Sequence, residues 1–207
     1  VPVLFPFSPL TVMAESNEST GTSAEKHVIA LQAFVPEEAS ARIAELCLKA
    51  LEVSDDAEVA FRHGAVPHVT ISAWKVTPEE LGDALIRQMR ADYSGVDAVD
   101  VPCRLDRYAK GGRVAWFLVP RDEARPEIDA FRREARAVLD LSYEDFGDRS
   151  GEDWWPHLTL FGIPEEAEND VAPILGELEA IPAFRLSALA LVGFEQGVHT
   201  LVVRDLE

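Results

Sequence analysis

Two nine-residue stretches, VPHVTISAW (66–74) and WPHLTLFGI (155–163), each set a histidine and a threonine two residues apart inside an apolar run. They occupy matching places in a longer repeat, and that repeat constrains the fold more than any other feature. From His27 onward, apolar runs of period two alternate with helical patterns. HVIALQAFV (27–35) predicts a buried strand, and PEEASARIAELCLKALEV (36–53) a helix opened by proline and acids. HVTISAW (68–74) is a second strand, TPEELGDALIRQMRADY (77–93) a second helix and VDVPCRLDRYA (99–109) a third strand.

The order then restarts. RVAWFLV (113–119) predicts a strand, ARPEIDAFRREARAVLDL (124–141) a helix and HLTLFGI (157–163) a strand. PEEAENDVAPILGELEA (164–180) reads as a helix weakened by Pro173, FRLSALALVGF (184–194) as one strand, and HTLVVRDL (199–206) as a closing strand. The opening strands begin at 27 and 113, the His-x-Thr strands at 68 and 157, and the Pro-Glu-Glu segments at 78 and 164. Order, type and spacing recur, so the chain predicts two related lobes of about 85 residues each. Repeat one covers about 27–109 and repeat two about 113–207 of a single folded unit, 27–207. Residues 1–26 are expected to be disordered. They hold three prolines before a polar run that follows Met13, the expected native start, and their first cation is Lys26, which argues against a signal peptide.

In a strand, successive side chains point to opposite faces. His68 and Thr70 therefore share one face and Val69 and Ile71 the other; His157 and Thr159 share a face opposite Leu158 and Leu160. If the lobes are related by a pseudo-twofold axis, two imidazoles and two hydroxyls converge on one cleft. An imidazole titrates near pH 6.5, so one ring can take a proton while its twin gives one. Displacement at phosphorus uses such a pair, with hydroxyls holding the non-bridging oxygens and no metal required.

His-Val-Thr-Ile and His-Leu-Thr-Leu, within a duplicated strand–helix–strand plan, resemble the two His-x-Thr-x signatures of the two-histidine (2H) phosphoesterase superfamily. That superfamily includes 2′-5′ RNA ligase-like proteins and cyclic nucleotide phosphodiesterases. The resemblance implies an α+β, bilobal fold, each lobe an antiparallel sheet flanked by helices, with the active-site cleft between them. It implies a metal-independent phosphodiesterase that hydrolyses 2′,3′-cyclic phosphates or 2′-5′ phosphodiesters of nucleotides or short RNA ends. Alternatives are 2′-5′ RNA ligase activity and a non-catalytic module that binds nucleotides or RNA ends. His68 would be the general base and His157 the general acid; Thr70 and Thr159 would hold the phosphate. Trp155 is the aromatic expected to stack a base, whereas Trp74, Trp154 and Phe161 read as core. No metal ligand set and no cofactor is expected.

Composition narrows the partners. Apolar residues make up 47% and aromatics 8%, as in a folded protein. Nineteen Lys and Arg against 37 Asp and Glu give a net charge of −18, which repels long polyanions. There are four lysines (Lys26, Lys49, Lys75 and Lys110), and no basic patch follows either motif in the sequence. A nucleotide or short RNA end suits that charge; a long nucleic acid or a membrane does not, and the expected protein is a cytoplasmic monomer. Cys47 and Cys103 read as buried, reduced thiols. The His199-Thr200 pair lacks the intervening residue, so its side chains diverge and a structural role is expected; His27, His63 and Arg62 read as strand-end or loop residues. The acidic run YEDFGDRSGEDWW (143–155) matches no calcium loop and reads as a solvated loop.

Overall fold

The computed structural model describes residues 27–59, 66–146, 154–194 and 201–206, with the backbone alone for Phe194 and for 201–204. The expectations for residues 1–26, Arg62, His63, His199 and Thr200, and for 147–153 of the acidic run, lie outside those residues.

The chain is α+β. Its strands are β1 (His27–Phe34), β2 (Glu58–Val59), β3 (His68–Val76), β4 (Val99–Lys110), β5 (Arg113–Pro120), β6 (Glu144–Asp145), β7 (Leu158–Pro164), β8 (Ala183–Leu186), β9 (Ala188–Phe194) and β10 (Leu201–Asp205). The helices are α1 (Glu37–Val53), α2 (Pro78–Arg90), α3 (Arg125–Leu139) and α4 (Ala172–Glu179). Local chemistry explains their ends. Thr77 accepts from the Glu80 amide while the Glu80 carboxylate accepts from the Thr77 amide, a reciprocal cap that starts α2 ahead of Pro78. Gly111 and Gly112, with φ of 61° and 76°, supply the left-handed pair that a two-residue hairpin between β4 and β5 requires.

All strand pairs are antiparallel, in the order β10-β9-β1-β3-β7-β5-β4-β8, with β2 on β7 and β6 on β3. This path is two half-sheets joined at one rung between β3 and β7, Val69 opposite Leu158. The half-sheets are not simply the two sequence repeats. β4, from the first repeat, pairs with β5 and β8 of the second; β9, from the second, pairs with β1 of the first. The run read as one strand over 184–194 breaks at Ser187, whose amide bonds to the Phe34 carbonyl, and so β8 and β9 serve different half-sheets. The helix expected over 164–180 also divides: a 3-10 turn spans Glu165–Ala167, and α4 starts only at Ala172, with Pro173 in its first turn.

One face of the sheet is covered by helices. Ile29, Leu31 and Ala33 of β1, Val69 and Ile71 of β3, and Leu158 and Leu160 of β7 bury there with Ile43 and Leu46 of α1 and Ile128 and Phe131 of α3. Of the intervening positions, His68, Thr70, His157 and Thr159 are only half-buried. Cys47 and Cys103 are free thiols, both buried. Among the described residues no helix is long and apolar enough to cross a membrane.

Candidate active site

The rung between Val69 and Leu158 builds the site. In an antiparallel pair, residues directly opposite share a face. Extending that register by one residue each way sets His68 opposite Thr159 and Thr70 opposite His157. The four side chains expected at the site therefore lie on one face, each histidine across from the threonine of the other motif. Diagonal neighbours of this kind lie about 7–8 Å apart, a gap that a phosphate can fill.

Both rings are held in the same way. His68 Nδ1 donates to the Val66 carbonyl at 3.0 Å, and His157 Nδ1 donates to the Trp155 carbonyl at 2.9 Å. Each acceptor lies two residues upstream, across a buried proline, Pro67 or Pro156. A residue before proline is extended, which fixes its carbonyl. Because a carbonyl only accepts, Nδ1 carries the hydrogen, and Nε2 is the nitrogen that gains or loses a proton.

The strands carry matching irregularities. β1 skips Ile71, pairing Leu31 with Ser72 and Gln32 with Thr70. β5 skips Leu160, pairing Trp116 with Phe161 and Phe117 with Thr159. A bulge thus follows each threonine, the kind of device that re-aims side chains beside a site. In the first half-sheet α3 caps it: Arg132 Nε donates to the Ile71 carbonyl at 3.1 Å, and Trp154 Nε1 to the Thr70 carbonyl at 2.9 Å. The Arg132 guanidinium lies 4.6 Å from the Trp154 ring centroid; burial, and then Arg136, pull its pKa below the ordinary guanidinium value.

The surroundings of the two histidines differ. His157 stacks on Trp155, with centroids 4.5 Å apart and 30° between planes, and meets the edge of Phe117 at 5.1 Å. His68 meets the edge of Phe34 at 6.0 Å. Trp155 is 45% exposed, whereas Trp74, Trp154 and Phe161 are buried. The core reading of Trp74, Trp154 and Phe161 agrees with these positions.

Other residues at the site carried no sequence signal. Gln32, opposite Thr70, is buried on the site face, where β5 has Phe117. A recess beside Thr159 is walled by Tyr108, Lys110, Arg113 and Gly162. A larger one, of about 350 Å³, lies beside Trp155 and contains Arg104, Arg121 and Arg125. These cations come from β4, the end of β5 and α3, so no local basic run announces them. Period-two reading of β4 and β5 together would have placed Arg104, Tyr108 and Lys110 on one face.

The fold is similar to that of Usb1 from Kluyveromyces marxianus, with a TM-score of 0.53 and 15% identity over 89% of this chain and 100% of that one. It is also similar to E. coli LigT complexed with 3′-AMP, with a TM-score of 0.50 and 14% identity over 88% of this chain and 99% of that one. No protein-family model matches the chain, and no curated protein matches it in sequence. The chain thus shares the α+β fold of these two proteins, the fold class that its sequence predicts.

Proposed function

We propose that the chain is a metal-independent phosphodiesterase that hydrolyses 2′,3′-cyclic phosphates or 2′-5′ phosphodiesters of nucleotides or short RNA ends. The observation that carries this reading is the crossed arrangement at the Val69–Leu158 rung, with both imidazoles fixed through Nδ1 and both threonines between them. E. coli LigT, of the same fold, holds 3′-AMP, a nucleotide with phosphate on a ribose oxygen.

In this reading a cyclic phosphate sits between the rings. His68 Nε2 takes a proton from water as its oxygen attacks phosphorus; the bond to one ribose oxygen breaks, and His157 Nε2 gives that oxygen a proton. Thr70 and Thr159 hold the non-bridging oxygens, where charge grows in the transition state. The acid role is given to His157, whose ring stacks on Trp155, and the base role to His68. The product leaves with one more proton on His68 and one fewer on His157, and exchange with water restores both.

The test is turnover of 2′,3′-cyclic nucleotides and 2′-5′ oligoadenylate by the wild type, His68→Ala and His157→Ala. Each substitution is expected to cost at least about 100-fold in kcat while circular dichroism is unchanged, and EDTA is expected to have no effect. Tight binding without turnover by the wild type would sink the enzymatic reading and leave the binding module; ligation of 2′-5′ ends in the reverse assay would favour the ligase.

A further inference from the structure

Across the chain carboxylates outnumber Lys and Arg by 37 to 19, whereas the recess beside Trp155 gathers Arg104, Arg121 and Arg125, with Asp122 in its wall and Asp106 and Asp129 paired to Arg104 and Arg125. The sheet register fixes how far it lies from the histidines. Arg104 pairs with Val119, and the β5–β7 register, carried one residue past Leu118 and Leu158, sets Val119 beside His157. His157, Val119 and Arg104 therefore occupy successive strands on one face, about 10 Å from first to last by strand spacing. The exposed Trp155 indole, stacked on His157, lines the same recess.

The guanidinium groups are also positioned. Arg121 Nε donates to the Cys103 carbonyl at 2.9 Å, which orients its two terminal nitrogens. Arg125 is tethered by Asp129 and by the Trp154 carbonyl, at 3.1 and 2.7 Å. Arg104 shares Asp106 at 2.9 Å, with half its side chain exposed. Among the described residues, the face beside β1 in the other half-sheet carries Ala188 and Ala190 of β9 instead.

From this we infer that the recess holds the phosphodiester on the 5′ side of the reacting nucleotide, so that the substrate is an RNA end of two or more nucleotides and not a mononucleotide. The inference rests on the reading that the histidine cleft holds a nucleotide's phosphate ester. Guanidinium forks match phosphate oxygens two at a time, and Trp155 offers the intervening base a stacking surface.

The experiment compares uridine 2′,3′-cyclic phosphate with a uridine trinucleotide ending in the same ring, for the wild type, Arg104→Gln and Arg121→Gln. Binding of the trinucleotide 3′-phosphate, which has no reactive ring, is measured in parallel over a range of salt. Expected is a fall of about tenfold in the ratio of kcat/KM, trinucleotide over mononucleotide, in each variant. The slope of log Kd against log salt should shrink by about 0.7, one phosphate contact on a single strand. An unchanged ratio with an unchanged salt slope would overturn the inference. Should the wild type turn over neither ring, the binding arm decides alone: a weakened, less salt-dependent trinucleotide complex keeps the inference while the hydrolytic reading falls, and an unaltered complex overturns both.

Discussion

Trp154 and Trp155 follow one another in the chain but face opposite sides. Trp154 is 2% exposed, donates to the Thr70 carbonyl, and packs under Arg125 and Arg132. Trp154→Ala empties that space and removes the bond behind Thr70, an expected loss of about 3–5 kcal/mol in urea unfolding. Trp155→Ala deletes a half-exposed ring; stability should change by less than about 1 kcal/mol, while KM for an RNA end rises and Trp155→Phe restores most of it. Steady-state kinetics beside the unfolding curves would check both. At this scale the histidines and threonines were legible because a polar pair at period two inside an apolar strand conflicts with burial unless something uses it. Trp155 was singled out only as an aromatic flanking the second motif. Arg104 and Arg121 were not, because lone arginines on different strands look like ordinary solvated charge until the register brings them together.

Pairing decided what the sequence pattern left open among the elements. The stretch around Ser187 is apolar without a break, and only the competition between β4 and β1 for its two halves divides it. The segment over 164–180 was read as one helix weakened by Pro173, but that proline stands in the first turn of α4, where its missing amide costs nothing. The α2 cap is independent of the site: Thr77→Ala should cost about 1 kcal/mol by denaturant titration with kcat unchanged. β4 carries a titration of its own. Burial pushes the Cys103 thiol from 9.0 up to about 11, with nearby Arg121 opposing the rise. The native state thus holds that proton more tightly than the unfolded chain, so its contribution is full below pH 9 and lost as pH rises through about 11. Cys103→Ala should flatten that part of the alkaline fall in melting temperature, and at pH 8 a thiol reagent should label the native protein only as fast as it opens.

For the whole molecule, the exchange of β4 and β9 means that neither repeat completes a half-sheet without the other. Unfolding should then be one transition, with tryptophan fluorescence and far-ultraviolet circular dichroism superimposing; two resolved midpoints would contradict it. The α+β class and the duplication were legible from element order, but the exchange was not, because a repeat read along the chain cannot say which copy a third strand joins. The seam between β3 and β7 has one further consequence. Joined between β3 and β7 at the one rung Val69–Leu158, with Trp154 bonding to the Thr70 carbonyl beside it, the two half-sheets should pivot as a hinge about those two residues. A ligand gripped by both motifs would close that hinge, and the spacing of the two imidazoles becomes a property of the load on it. Amide exchange at His68 and Thr70 and at His157 and Thr159, the residues flanking that rung, should slow when a nucleotide binds.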